Sequence, residues 1–195
     1  MNADDEFSWT NHIDYISLKL SKNVYLLSQL KHFVSADALF LFYHAHLMSH
    51  INYASPLWSK ACDTKLNRIN SLHRRAIKLL SGDKSTTTDQ KFIKLDILNM
   101  KNQHILNSAI LMYKTFHGDS PLYLQRLFTQ HTNMNRLRAP NYDLPNARID
   151  LFKKSFAFNG ASIWNSIPAK IRFLPTISNF KNSMKQFLLS KQALE

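Results

Sequence analysis

The sequence predicts an all-α protein, and three observations carry that prediction. Glycine occurs only three times in 195 residues, too seldom for the many tight turns of a β-sandwich or barrel. Apolar residues recur at spacings of three and four, the period of a helix with one buried face. Hydrophobic residues make up 45% and aromatic residues 12%, enough to form a core and too many for a disordered chain. The expected architecture is an irregular helical bundle with a loop-rich link to a small C-terminal helical segment. Its divisions are an acidic lead-in over 1–8, a main helical domain over 9–128, a linker over 129–149 and the terminal segment over 150–195.

The elements follow in order. Ser8 or Thr10 is placed to cap a first helix running to about Phe33, with Ile13, Ile16, Leu20, Val24 and Leu27 on one stripe. Ser35 caps a second helix from Ala36 to about Tyr53, apolar on most sides and so expected to be central; Pro56 ends it. Asp63 is expected to cap a third helix through Ser81, closed by Gly82. On that helix Leu66, Ile69, Leu72, Ala76, Leu79 and Leu80 share one arc, and Arg68, Arg74, Arg75 and Lys78 take the other. Residues 83–89 lack periodicity and read as a loop. A short helix over 90–97 and a longer one from Asn99 to Phe116 follow, the latter with Ile105, Ala109, Met112 and Phe116 inward and stopped by Gly118. Ser120 and Pro121 open a short helix to about Phe128. Residues 129–149, with Pro140 and Pro145, fit no regular element. Apolar density returns from Phe152 to Asn165, and Ser178 is expected to cap a last helix facing inward through Phe180, Met184, Phe187 and Leu188.

Charge narrows the partner. The chain has 25 Lys and Arg against 13 Asp and Glu, a formal +12. Residues 1–15 carry four acids (Asp4, Asp5, Glu6 and Asp14) and no Lys or Arg, so the basic excess lies entirely beyond them. Such a field attracts polyanions, because each phosphate neutralised releases condensed counterions. Nucleic acid is the leading expectation, with an anionic membrane surface second on charge alone. The apolar run from Ala38 to Leu47 is interrupted by His44 and His46 and is too short to span a bilayer. The single Cys62 rules out an intrachain disulfide framework or a multi-cysteine zinc site, and the acidic N-terminus lacks the apolar stretch of a signal peptide. An intracellular setting, nuclear or cytoplasmic, is the expectation.

Catalytic patterns find little support. Asp4-Asp5 is a carboxylate pair, but nothing strand-like precedes it, and a helix begins within five residues. An acidic lead-in favoured by the helix dipole explains it better than metal binding at a hairpin tip. His44, His46 and His50 read as half-buried histidines bonded to neighbouring helices, because His44 falls on a different face from His46 and no Glu accompanies them. No glycine-rich phosphate loop is present. No cofactor, resident metal or small-molecule substrate is expected. The strongest physical signal is the row Arg68, Arg74, Arg75 and Lys78, presented from a rigid helix as backbone-phosphate contacts would require. Arg136, Arg138, Lys153, Lys154, Lys170 and Arg172 add charge elsewhere.

Four pieces of the chain, read in order, resemble one known pattern. They are Trp9-x-x-His12-Ile13; His50-Ile51-Asn52-Tyr53 with Trp58 beyond it; the run Leu66 to Ile77; and Gly160-x-x-Ile163-Trp164-Asn165-Ser166-Ile167-Pro168 followed by Phe180-Lys181. Together they resemble the region after the palm in jockey-like non-LTR retrotransposon reverse transcriptases, over about residues 8–190. His73 stands where that pattern usually has Gln. The resemblance implies a helical thumb-like domain that grips RNA or an RNA–DNA duplex by its backbone, with Arg74, Arg75 and Lys78 as contacts. It also implies a segment without catalysis of its own, since the palm and its aspartates have no counterpart here. The alternatives are an interaction module that docks onto polymerase domains, or a truncated copy with no selected function. Trp9, Tyr53, Trp58 and Trp164 are expected as core or interhelix anchors.

Overall fold

A computed structural model describes residues 9–83, 85–130 and 141–194. The all-α expectation holds: these residues form helices, and the β-structure among them amounts to one isolated bridge between Gln130 and Tyr142. No helix among them is long and apolar enough to cross a membrane.

Helix α1 spans Thr10–Leu30 and buries the predicted stripe from Ile13 to Leu27. It opens at Trp9, held in the left-handed region at φ 58° with no side-chain cap, so Thr10 does not cap it; Ser8 lies outside the described residues. Ser35 caps α2, Ala36–Phe42, accepting from Ala38 N. The helix then widens into a π stretch, Tyr43–Met48, before α3, Ser49–Asn52. A π turn holds an extra residue and rotates everything beyond it. Tyr43, Leu47, Met48 and Ile51 thereby all reach the core.

The turn α4, Ser55–Trp58, buries Trp58 completely. Helix α5 spans Asp63–Ser81 and ends at Gly82, whose φ of 61° suits the residue without a Cβ. Cys62, rather than Asp63, precedes it; Asp63 is its first residue, where a carboxylate complements the helix dipole. Helix α6 is Thr88–Lys94, opened by a full capping box. Thr87 accepts from Gln90 N while the Gln90 side chain accepts from Thr87 N. The short helix therefore starts two residues earlier than predicted.

Helix α7, Met100–Phe116, is the central element, in place of the predicted second helix. On the α2–π segment Leu41 is 71% exposed, whereas α7 buries Asn102, Gln103, His104, Leu106, Ala109 and Met112 around most of its circumference. Amide pairs meet its buried carboxamides. Gln103 Nε2 and Asn107 Nδ2 donate to Asn52 Oδ1, each at 3.0 Å, and Asn102 Nδ2 donates to Gln192 Oε1. Polar composition hid its position, because hydropathy cannot register partners supplied by other helices.

The remaining elements are α8 (Leu122–Gln125), α9 (Asp150–Lys153), α10 (Phe156–Ser166), α11 (Ala169–Arg172) and α12 (Ile177–Gln192). Thr176, not Ser178, caps α12. Gly160 sits where α10 crosses α7: a Cβ there would lie 2.8 Å from Met112 Sδ and 3.1 Å from Phe156 Cζ.

Buried apolar side chains form two clusters. One gathers α1, α2 to α5 and α6; the other gathers α7, α10 and α12 around Trp164 and Phe180. The division falls near Leu98–Met100, well before the expected linker. The described part of that linker is fastened down: Asn165 accepts from Tyr142 N at 2.9 Å and donates to Tyr142 O at 2.8 Å, and Tyr142 is 5% exposed.

Candidate nucleic-acid interface

Helix α5 positions the predicted cationic row. Its inner face buries Ile69, His73, Ala76 and Ile77 against α1 and α6, so its outer face is carried on a rigid support. Arg75 and Lys78 are exposed and form no ion pair among the described residues. Arg68 is exposed at the same edge, with its nearest carboxylate oxygen, Asp14 Oδ1, at 3.8 Å; Lys65 takes the closer position on Asp14 at 3.1 Å.

Arg74 departs from the row. Its guanidinium donates to both oxygens of Asp89, at 2.6 and 3.1 Å, from the first turn of α6. The hydrogen-bonded carboxylate raises the Arg74 pKa, and the guanidinium lowers that of Asp89. A bidentate pair is a strong use of a guanidinium. Arg74 thus ties α5 to α6 and borders a different surface from Arg75. Three of the four predicted residues share an outward face, and the fourth does not. Arg136 and Arg138 lie outside the described residues.

The Asp4-Asp5 pair also lies outside the described residues. His44 and His46 are exposed, contrary to the half-buried expectation, and only His50 is half-buried. The π stretch runs through His44 and His46 and alters their register with His50, which lies beyond it in α3. Among the described residues no three His, Cys, Asp or Glu side chains come together as a metal group.

The buried histidines are three others. His73 is fully buried on α5, stacked on Tyr43 with planes 8° apart and edge-on to Phe92. Its Nε2 lies 2.7 Å from Tyr43 Oη, which is 3.0 Å from Met48 Sδ. With the proton on Nε2, His73 donates to the hydroxyl and the hydroxyl donates to sulfur, so each hydrogen is used once. Burial drives the His73 pKa down to about 3. His104, 7% exposed, meets Trp58 edge-on at 4.7 Å, and neither ring nitrogen has a hydrogen-bond partner. Burial first, and then the charge of Lys60, hold it down to about 4. His12 sits among the rings of Trp9, Tyr53 and Trp58, joining the first two sequence motifs in space. Alternation on a helix face could have flagged His73, at the centre of the apolar arc of α5; no sequence signal marks His104.

The aromatic anchors divide. Trp58 and Trp164 are fully buried, Trp9 is half-buried, and Tyr53 is 61% exposed, so Tyr53 is not a core residue. Trp58 Nε1 donates to Tyr53 O, which closes the turn between α3 and α4.

A second basic surface, absent from the sequence reading, opens between α5, α7 and α10. It is a groove of about 1030 Å³ lined by Lys60, Lys101 and Lys154, and by Arg74 in its pair with Asp89, with Asp63 as the one carboxylate on its wall. Asparagine amides of α5 and α10 and the ring of His104 complete its walls. Beside it lies an apolar pocket of about 450 Å³, lined by Trp9, Leu57, Ile149, Leu151 and Phe152, and sharing Lys60 and Lys154 with the groove. Compared with family models, curated proteins and solved structures, the chain matches none.

Proposed function

We propose that the chain binds nucleic acid through the sugar–phosphate backbone, without base readout, using the outer face of α5. The observation that carries this reading is the exposure of Arg75 and Lys78 on a helix whose opposite face is packed, with Arg68 alongside them. A formal charge of +12 supplies the long-range attraction. Phosphate contacts of this kind position a protein without specifying sequence. RNA or an RNA–DNA duplex is the partner the sequence resemblance favours, and the reading assigns the chain no reaction and no cofactor. On the same resemblance, the chain derives from the post-palm region of a jockey-like reverse transcriptase.

The test is a titration of an RNA–DNA duplex at several salt concentrations. Log affinity should fall with log salt by about 0.9 per phosphate contacted. Reversing both charges, Arg75→Glu with Lys78→Glu, should weaken binding about tenfold or more and flatten that slope by roughly two, with helix content unchanged. Undiminished affinity in the double variant would remove α5 from the reading; no binding at low salt would end it.

One observation favours a second reading, a helical docking module. Helix α1 turns Tyr15, Leu18, Tyr25 and Leu26 outward, each 47–62% exposed, opposite its buried stripe. Apolar surface gathered on one helix face suits a protein contact.

A further inference from the structure

We propose that the groove between α5, α7 and α10 is a second nucleic-acid site, specific for a single strand, with phosphates against Lys60 and Lys154 and a base in the pocket beside Trp9 and Phe152. The proposal rests on the nucleic-acid reading but uses a different surface. Arg75 and Lys78 do not line the groove.

Three independent features converge on it. The first is charge: Lys60 and Lys154 are exposed and form no ion pair among the described residues, yet both border the groove and its apolar neighbour. Cations at the boundary between a polar and an apolar hollow match the chemistry of a nucleotide, which is anionic at one end and carries a flat base with stackable π faces at the other. The second is the aromatic wall. Single strands are held by basic tracks interleaved with rings on which bases stack, and Trp9 and Phe152 line the pocket next to the two lysines.

The third is His104. Its ring lines the groove, is 7% exposed, and has no hydrogen-bond partner on either nitrogen. A buried polar group without a partner is costly, and native proteins seldom leave one without a reason. A neutral imidazole offers one donor and one acceptor. A nucleobase edge offers the complementary pair, and the exposed amide of Asn67 lies on the facing wall, whereas Asn159 Nδ2 already donates to Lys153 O and Ser155 O. The volume of about 1030 Å³ is at the upper end of small-ligand sites and has room for a short run of nucleotides.

Cys62, the only cysteine, is exposed on the groove wall and serves as the reporter. The full chain is titrated with decauridylate, decathymidylate and an RNA–DNA duplex at low salt, while the rate of Cys62 alkylation by N-ethylmaleimide is followed. Either single strand should bind and slow alkylation about fivefold or more, and the ratio of the two affinities tells RNA from DNA. The duplex should leave the rate unchanged. Lys60→Glu with Lys154→Glu, and separately Phe152→Ala, should each weaken single-strand binding by about tenfold while duplex affinity stays within about twofold. Arg75→Glu with Lys78→Glu should do the reverse. Asn67→Trp, which narrows the groove without changing charge, should also weaken single-strand binding. If duplex binds but single strands neither bind nor protect Cys62, the groove proposal fails and the α5 reading stands. Single-strand binding indifferent to both groove variants overturns it equally. If neither nucleic acid binds, both fall.

Discussion

His73 occupies the middle of the buried arc of α5, where a leucine would satisfy packing without a polar atom. Its presence links three elements: α5 through its own backbone, the π stretch through Tyr43, and α6 through the ring of Phe92. The cost appears in its titration. The folded-state pKa values, about 3 for His73 and about 4 for His104, lie below the ordinary 6.5. As pH falls below 6.5 the unfolded chain takes up protons that the fold refuses. Stability from these groups is therefore complete above about pH 6.5 and is lost as pH falls toward 4 and then 3. At pH 5 each group should cost about 2 kcal/mol. The urea midpoint should accordingly drop between pH 7 and pH 5. His73→Gln, which keeps a donor for Tyr43 and removes the titrating ring, should reduce that drop by about half. A variant that keeps the full pH slope would show that His73 does not set it.

At the scale of the element, each helix is defined by its ends as much as by its stripe. Ser35, Asn99, Ser155 and Thr176 cap their helices by accepting from a backbone N–H three residues on. Close approach matters equally for α10, which can cross α7 at Gly160 because the glycine leaves room there for the Met112 thioether and the Phe156 ring. Helix α1 is amphipathic on the inside and anomalous on the outside, where Tyr15, Leu18 and Tyr25 share a face with Lys22. If that face docks onto protein, the isolated chain should self-associate at high salt, where charge repulsion is screened. Light scattering of the wild type and of Leu18→Lys with Tyr25→Lys checks this. The variant should be monomeric under conditions where the wild type is not, and a wild type that is monomeric throughout argues against docking through α1.

At the scale of the whole molecule, two cores share one helix. Helix α7 meets α3 and α4 on one side and α10 and α12 on the other. Polar ties cross the same boundary: Gln192 of α12 accepts from Asn99 N at 2.8 Å, and Lys185 pairs with Asp96. Trp58 and Trp164 are fully buried, one in each core. With 5-fluorotryptophan incorporated, the Trp58 and Trp164 resonances, told apart from that of Trp9 by substitution, should report the same urea midpoint, since neither core keeps its wall once α7 melts. Separate midpoints would show that the cores are thermodynamically independent.

Legible in the sequence were the helical class, the buried stripe of α1 and much of that of α5, the start of α2 at Ser35, the stop of α5 at Gly82, and the cationic character of the outer α5 face. These are local properties, set by a period of 3.6 residues and by capping chemistry within three or four positions. The start of α6 was equally legible, since Thr87-x-x-Gln90 is a capping box. Only the tertiary structure decided that α7 is central, that Arg74 leaves its row for Asp89, and that His104 lines a groove beside Lys60 and Lys154. Each depends on groups distant in sequence that burial brings together: amides that satisfy buried polar side chains, a carboxylate one helix away, and walls from three helices. Periodicity can say which face of a helix turns inward; it cannot say what that face will meet.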